Sequence, residues 1–207
     1  MGSRVDPSSV HYYYHLAEIH AELRPRRYVE IGVARGRSLA QALPDTFAVG
    51  IDPEPEDFVE PIRCSYELFE LTSNDFFQQH DLTEVLGGPF DLAFIDGMHL
   101  FEYALRDFIN LERHASPQST MLAHDCRPID AVTASRERTT TVWTGDVWKL
   151  IPCLREHRPE LEVELLDAAP SGLARISGLD PSSSVLHDRY DEICEQFMPL
   201  GFEAYTG

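Results

Sequence analysis

The sequence has 207 residues, and its 17 Lys and Arg against 35 Asp and Glu give a formal net charge of −18. Such an acidic surface repels phosphate backbones and anionic membranes, so we expect neither nucleic-acid binding nor membrane binding. No apolar run reaches the roughly 18 residues that a membrane span needs, and the N-terminal stretch lacks the apolar core of a secretion signal. The 4 cysteines are widely spaced, which favours free thiols in a reducing cytoplasm. The sequence therefore predicts a cytoplasmic protein whose ligands are small neutral molecules or divalent cations.

Apolar runs of strand length alternate with polar segments of helix length, which is typical of a parallel sheet covered by helices. The last two runs flank a Pro-Ser-Gly turn at residues 170–172, so we expect an antiparallel hairpin at one edge of the sheet. In chain order, the predicted elements are a helix at 9–23, a strand at 28–31, a helix from residue 38, strands at 47–51 and 66–71, a helix at 76–86, a strand at 90–95, a helix at 101–113, a strand at 120–123, a helix at 147–156, strands at 161–166 and 173–176, and a helix at 183–199.

These elements predict a single α/β domain over residues 1–207, with a doubly wound, mostly parallel sheet and an antiparallel edge hairpin. Residues 1–25 supply an N-terminal helix, residues 26–178 the α/β core, and residues 179–207 a C-terminal helical segment. Apolar side chains of the last segment either seal the sheet or dock on a second copy of the chain, so a homodimer is one expected assembly.

A glycine turn follows the first predicted strand, in the segment Val-Glu-Ile-Gly-Val-Ala-Arg-Gly at residues 29–36. Gly32 and Gly36 allow the backbone to approach a ligand closely, and the next helix offers free N–H donors. Asp52 ends the following strand, where a carboxylate can accept hydrogen bonds from both hydroxyls of a ribose. An ordinary tight turn and an exposed strand end are the structural alternatives. The spacing is not Gly-x-Gly-x-x-Gly, which makes a nicotinamide or flavin fold the weaker interpretation.

The Glu-x-Gly-x-x-x-Gly pattern, the later acid and the closing hairpin resemble those of class I S-adenosylmethionine-dependent methyltransferases. The resemblance implies that the glycine turn passes under the methionine part of S-adenosylmethionine and that Asp52 holds its ribose. It also implies that Asn74 and Asp75, after the third predicted strand, contact adenine. The full set of implied cofactor-binding residues is Glu30, Gly32, Gly36, Ser38, Asp52, Asn74, Asp75 and Asp96.

Acidic and histidine side chains follow the fourth and fifth predicted strands. Asp96 and His99 come after the fourth strand, and His124 and Asp125 come at the end of the fifth. Because the carboxyl ends of parallel strands share one edge of a sheet, we expect these side chains to converge in one crevice. Asp96 and Asp125 supply oxygen ligands suited to Mg²⁺ or Mn²⁺, and His124 is a third ligand or a neighbour of the ligands. His99 is a candidate general base, with a helix N-cap or a buried hydrogen-bonding residue as the alternative.

This cluster resembles that of the metal-dependent sugar O-methyltransferases, the group that includes macrocin O-methyltransferase. In that group an acid at the fourth strand end and two adjacent acids at the fifth hold the metal. Here His124 replaces the first acid of the adjacent pair, and Met98 stands where the group has a further acid. The resemblance implies methyl transfer to a hydroxyl of a sugar or glycan precursor, for example a methylmannose-type polysaccharide precursor. It assigns catalysis to His99 and Asp96, and a divalent metal, Mg²⁺ in the first instance, to Asp96, His124 and Asp125.

Other residues bear on the acceptor, which we expect to be a small molecule or an oligosaccharide. Trp143 and Asp146 follow the fifth strand, and an indole face beside an acid is a common way to hold a sugar. The tyrosines at 12–14 are either a lid over the cofactor or helix packing, and Asp107 is predicted to be a solvated or helix-bridging acid. An aromatic or polyketide hydroxyl is the alternative acceptor. A hydroxylase-like relative and a nonenzymatic S-adenosylmethionine-binding module are the alternatives from other classes.

Overall fold

The computed structural model describes residues 10–205, and its centre is one sheet of seven strands in the order β3-β2-β1-β4-β5-β7-β6. Strands β1 to β5 are parallel, while β7 runs antiparallel to both β5 and β6. The predicted α/β class with an antiparallel edge hairpin is confirmed. The strands are β1 Arg27–Ile31, β2 Phe47–Ile51, β3 Ser65–Phe69, β4 Leu92–Ile95, β5 Thr120–His124, β6 Glu162–Leu166 and β7 Leu173–Ser177.

Helices lie on both faces of this sheet because the inner strands are apolar on both sides. Val29 of β1 packs in one apolar core and its neighbour Tyr28 in another, as expected when successive side chains point to opposite faces. All residues of β4 and β5 are buried or nearly so, which a doubly covered parallel sheet requires. The helices are α1 Tyr12–Leu23, α2 Ser73–Gln79, α3 Leu82–Leu86, α4 Phe101–Glu112, α5 Leu150–His157, α6 Val185–Asp188 and α7 Tyr190–Phe197.

Three helix predictions differ from the structure. The helix expected from residue 38 is only a short 3₁₀ turn, Leu39–Gln41. The helix expected at 76–86 is divided into α2 and α3, because His80 is extended and the Asp81 side chain caps the second helix by accepting the Glu84 N–H. The helix expected at 183–199 is likewise divided into α6 and α7. The N-terminal helix begins at Tyr12, and residues 1–9 of the predicted N-terminal segment lie outside the described residues.

The strand order changes direction beside β1, and this places the functional edge. From β1 the chain first builds outward through β2 and β3, then returns to add β4 and β5 on the other side. In open α/β sheets, ligands bind at the carboxyl ends of the strands at such a switch point. The segments after β1, β2, β4 and β5 carry the glycine turn, Asp52, Asp96 and Asp125 respectively, so they share this edge. None of the helices within residues 10–205 combines the length and the apolar character that crossing a bilayer requires.

Candidate active site

The glycine turn after β1 has the backbone conformation that its glycines allow. Gly32 and Gly36 have φ values of 88° and 70°, and Ala34 between them has φ 44°. The Asp52 carboxylate supports this turn, because one oxygen accepts the Ala34 N–H and the other the Glu54 N–H, each at 2.8 Å. Asp52 therefore contacts the backbone of the glycine turn, and its contact with a ribose stays a prediction.

Gly32 lies directly against the segment that follows β4. A Cβ atom at Gly32 would stand 2.0 Å from the backbone oxygen of Asp96, so only glycine fits between the two turns. This close approach brings the glycine turn and the Asp96 side chain to the same cleft. The cleft has a volume of about 210 Å³, and its lining includes Tyr12, Tyr13, Gly32, Ser38, Glu56 and Asp96.

Glu30 lies beneath the cleft and is fully buried. Its carboxylate accepts hydrogen bonds from the hydroxyls of Tyr28, at 2.7 Å, and Ser38. Burial raises the pKa of Glu30 to about 8, and the two hydroxyl hydrogen bonds oppose that rise only in part. Because Ser38 lines the cleft and Glu30 does not, Glu30 acts on the cleft through Ser38.

Replacing Glu30 by Gln tests this buried carboxyl through the pH dependence of stability. The folded pKa of about 8 exceeds the value of 4.5 for an unperturbed glutamate, so the folded state binds the extra proton between these pH values. Stability must then fall as pH rises through this window, by at most about 1.4 kcal/mol per pH unit for one group. We expect the unfolding free energy of the Glu30→Gln protein, measured with urea between pH 5 and 9, to lack this fall with rising pH. Glu67→Gln, on the exposed face of β3, is the control, and identical pH profiles for both variants would contradict the raised pKa.

The acid and histidine cluster is assembled as the sequence predicts, from the ends of β4 and β5. The Asp96 carboxylate lies 3.1 Å from His124 Nδ1 and 3.6 Å from His99 Nε2. The Asp125 carboxylate lies 3.4 Å from His124 Nδ1 and 3.0 Å from His99 Nδ1. One ligand atom each from Asp96, His124 and Asp125 fall within 4.8 Å of one another, a spacing that suits a single metal ion.

One buried oxygen of this cluster is without a hydrogen bond, and it indicates that the site fits a cation. Asp125 has the left-handed backbone conformation, with φ 61°, and is 3% exposed. Within residues 10–205 its Oδ2 accepts no hydrogen bond, although Oδ1 accepts one from the Ser171 hydroxyl. His99 Nδ1 is close to Oδ2 but donates to the Trp143 carbonyl at 2.7 Å instead. A buried carboxylate oxygen without a donor is costly, and a bound cation relieves that cost.

The charges of the cluster stabilise one another. Burial raises the pKa of Asp96, but the positive charges and hydrogen bonds of His124 and His99 outweigh it and hold that pKa below the usual range. Burial lowers the pKa of His99, yet Asp96 and Asp125 outweigh it and raise that pKa to about 9. The pKa of His124 is raised in the same way, whereas burial dominates at Asp125 and raises its pKa. Asp96 and the two histidines thus favour each other's charged forms, and a bound divalent ion would compete with the protons on the histidines.

Trp143 packs on the predicted base rather than standing free in the crevice. Its ring stacks on the His99 imidazole, with centroids 5.2 Å apart and planes 17° from parallel. The Trp143 indole N–H donates to the Ser135 carbonyl at 2.6 Å, which fixes the ring. Trp143 therefore orients His99 by both its ring and its carbonyl, and its contact with an acceptor stays a prediction.

Tyr12 packs against the cluster on the side that faces the cleft. Its ring lies 3.9 Å, centroid to centroid, from the His124 ring, and its hydroxyl donates to Asp96 Oδ2 at 3.4 Å. The start of α1, which carries Tyr12, is held in place because the Tyr12 N–H donates to the Ala169 carbonyl at 2.8 Å. Among the tyrosines considered as a lid, Tyr12 is thus the one that touches two of the three predicted metal ligands, Asp96 and His124.

Removing only the Tyr12 hydroxyl tests its contact with Asp96. We expect Tyr12→Phe to slow methyl transfer about tenfold, the lower end of the effect of losing a partner of a metal ligand. Binding of the donor product should change little, since the aromatic ring that lines the cleft is kept. Tyr14→Phe is the matched control on the same helix, because Tyr14 is 68% exposed. Equal steady-state rates for the two variants would remove Tyr12 from the site.

Three predicted site residues lie in local structure that does not face the cluster. Asp75 is exposed and belongs to the cap of α2, where the Thr72 hydroxyl donates to its carboxylate at 2.7 Å. Asn74 is half-buried beside it. Asp146 is 1% exposed and accepts hydrogen bonds from the Phe101 N–H and the Lys149 ammonium, both at 2.7 Å. Adenine and acceptor contacts by these residues stay predictions, and for Asp146 the observed partners already occupy both oxygens.

The sequence interpretation missed two features of this region. Ser171, from the turn before β7, donates to Asp125 and lies 3.4 Å from His124 Nε2, and only the hairpin geometry brings it there. Asp107 was expected to be a solvated or helix-bridging acid; it is 3% exposed, and burial raises its pKa to about 7, a rise that a hydrogen bond with Ser73 of α2 opposes. Its carboxylate lies under Gly97, so α4 presents an acid to the segment that carries Asp96 and His99. The solvated position is therefore wrong, whereas the contact between α4 and α2 agrees with the helix-bridging alternative.

The comparisons with known proteins agree with this geometry. Residues 29–126 match the family model of a methyltransferase domain. This match begins in β1 and ends just after β5, so it contains the glycine turn, Asp52 and the acid and histidine cluster. No curated protein sequence matches the chain significantly.

Solved structures with a similar fold include O-methyltransferases at low sequence identity. An O-methyltransferase from Bacillus cereus in complex with SAH has a TM-score of 0.58 and 14% identity, covering 85% of this chain and 83% of that chain. TomG from Streptomyces achromogenes is an O-methyltransferase of tomaymycin synthesis, solved in complex with SAM. It has a TM-score of 0.60 and 16% identity, covering 81% of this chain and 79% of that chain. MycE, a methyltransferase of the mycinamycin pathway in complex with Mg, SAH and mycinamycin VI, has a TM-score of 0.51 and 16% identity. The match covers 83% of this chain and 49% of that chain.

The family match and the fold both support the methyltransferase class expected from the sequence. A likeness at such identities shows a shared fold, while the family match covers the segment that holds the glycine turn and the cluster. Residues 29–126 are therefore similar to a methyltransferase domain, and the sheet has the fold of solved O-methyltransferases.

Proposed function

We propose that the protein transfers a methyl group from S-adenosylmethionine to a hydroxyl of a sugar or glycan precursor. In this proposal, Asp96, His124 and Asp125 hold a divalent metal and His99 is the base. The observation that carries it is the position of Asp96, which lines the cleft below the glycine turn and also contacts both histidines of the cluster. Donor and acceptor sites that share one side chain satisfy the need of methyl transfer for close, in-line reactants.

The residues have separate roles in the chemistry. Transfer forms an oxygen–methyl bond, breaks the sulfur–methyl bond of the donor and releases the hydroxyl proton. The Nδ1–H of His99 donates a hydrogen bond to the Trp143 carbonyl, which leaves Nε2 to accept the released proton. When bound, a divalent ion supplies positive charge that stabilises the developing alkoxide and neutralises the two carboxylates. With that charge beside them, Asp96 and Asp125 would no longer favour the protonated form of His99, and its neutral imidazole would be available as the base.

Methyl transfer to a panel of glycosides, with and without a chelator, tests this function. Transfer from labelled S-adenosylmethionine to a glycoside hydroxyl, lost with the chelator and restored by added divalent ion, is the expected result. Full activity in the chelator would remove the metal from the proposal. Calorimetry with SAH is run in parallel, and donor binding without transfer to any hydroxyl would favour a nonenzymatic binding module.

An aromatic or polyketide acceptor is the second candidate, and the surface around the base favours it. Met98, between Asp96 and His99, is 54% exposed, and Val142, next to Trp143, is 45% exposed. Both offer apolar contacts beside the predicted base, which a phenol or a polyketide ring can use. Phenols and polyketide aglycones in the same acceptor panel separate the two candidates, since a polysaccharide precursor gains nothing from these contacts.

A further inference from the structure

We propose that the ion preferred by this site is a divalent first-row transition ion, for which Mn²⁺ is the test ion, and not Mg²⁺. The inference rests on the metal of the proposed function and specifies its identity. It differs from the Mg²⁺ expected from sequence resemblance, and it follows from the chemistry of the ligand atoms and of the residues that orient them.

The set of ligand atoms is mixed. Asp96 and Asp125 offer carboxylate oxygens, while His124 offers a ring nitrogen at the position nearest to both of them. Mg²⁺ prefers oxygen ligands and retains several waters, whereas imidazole nitrogen suits transition ions. A nitrogen inside the ligand triad therefore favours a transition ion over Mg²⁺.

The residues around His124 orient its ring so that it can bind a metal ion directly. Its Nε2 lies 3.4 Å from the Ser171 hydroxyl, which in turn donates to Asp125 Oδ1. An Nε2 proton donated to Ser171 leaves Nδ1 as the ring nitrogen that faces Asp96 and Asp125. The Tyr12 ring packs against the same imidazole, tilted by 31°, and prevents it from turning away. Hydrogen bonds of this kind orient metal-binding histidines and fix which nitrogen binds.

An independent observation shows that this pocket can accept a positive charge. The Asp125 side chain is almost fully buried, yet among the described residues its Oδ2 has no hydrogen-bond donor. That carboxylate belongs to the same triad as His124 Nδ1. The site therefore offers an oxygen without a partner and an oriented nitrogen side by side, which an oxygen-only magnesium site does not.

Direct metal binding to the full chain, without donor or acceptor, tests the inference. Titration calorimetry with Mn²⁺ and Mg²⁺ should show Mn²⁺ binding tighter by at least about tenfold, the size of effect that a changed ligand environment produces. The electron spin-echo spectrum of bound Mn²⁺ should show coupling to a ring nitrogen. His124→Asp restores an all-oxygen triad, so it should lose the nitrogen coupling and reduce the preference for Mn²⁺ by about tenfold. His187→Asp, at an exposed position of α6, is the matched control and should keep both properties.

The possible failures are distinguishable. Equal affinity of the unaltered protein for Mn²⁺ and Mg²⁺, or bound Mn²⁺ without nitrogen coupling, overturns the ion preference and leaves the proposed metal-assisted transfer in place. Absence of binding of either ion overturns both this inference and the metal in the proposed function. Because the first two measurements use the unaltered protein, they decide the matter even if His124→Asp fails to fold.

Discussion

Replacing Asp96 by Asn is expected to reduce methyl transfer by about 10²–10⁴-fold, the range that loss of a positioned catalytic group produces. Asp96 contributes to the donor cleft, to the triad and to the charge that both histidines face, so one change affects all three. The amide keeps the shape of the side chain but removes its negative charge. His99 and His124 then lose a carboxylate that raises their pKa values.

The measurement is the initial rate with saturating donor, together with Mn²⁺ titration of the same protein. Asp45→Asn is the control, because Asp45 is exposed in the turn before β2, at the opposite edge of the sheet. Thermal melting establishes that the Asp96→Asn protein is folded. An Asp96→Asn protein with the rate of the control would show that the cluster takes no part in the reaction.

Gly32→Ala is the second change with a large expected effect. The added methyl would meet the Asp96 backbone oxygen at 2.0 Å, and that backbone cannot move without displacing the Asp96 carboxylate. Gly87→Ala separates this overlap from the cost of a left-handed backbone, since Gly87 has φ 71° and nothing within 4 Å of the added atom. We expect the control to lose about 1–2 kcal/mol of unfolding free energy, and Gly32→Ala to lose more than about 4 kcal/mol.

Alanine substitution at a third glycine, Gly36, should give a loss of stability between those at Gly87 and Gly32. At Gly36 the added atom would stand 2.9 Å from the Phe58 ring, a side chain that can shift. Urea unfolding should therefore rank the losses Gly87→Ala, Gly36→Ala, Gly32→Ala in increasing order, and calorimetry with SAH should show donor binding lost only at the last. Equal losses at Gly32 and Gly87 would mean that the two turns are not packed as described.

The fold and the location of the site could be predicted because they depend on patterns that are local in the sequence. Apolar runs such as Leu92–Ile95 define buried strands, and a parallel sheet then places the residues after each strand at one edge. That single rule is enough to bring Asp96, His124 and Asp125 together. The hairpin at the edge is predicted in the same way, from two short apolar runs around a turn.

The partners of these residues could not be predicted, because they come from distant segments of the chain. Three consecutive tyrosines at 12–14 look equivalent, and only the docking of the helix start on Ala169 singles out Tyr12. Ser171 lies in a turn whose letters indicate only a change of direction. Trp143 was expected to face an acceptor, and its stacking on His99 depends on how its loop returns to the site. These contacts depend on tertiary packing, which has no periodicity in the sequence.

The docking of α1 on the turn before β7 has a consequence for how ligands act on the whole molecule. The backbones of Tyr12 and Ala169 are joined by a hydrogen bond, and a second one joins Ala169 to Val10, so the first helix and the edge hairpin form one unit around His124. An occupied site should therefore slow amide hydrogen exchange in both segments together, even though they belong to opposite ends of the chain. Protection that spreads in this way would make the melting temperature a sensitive report of which ligands the protein accepts.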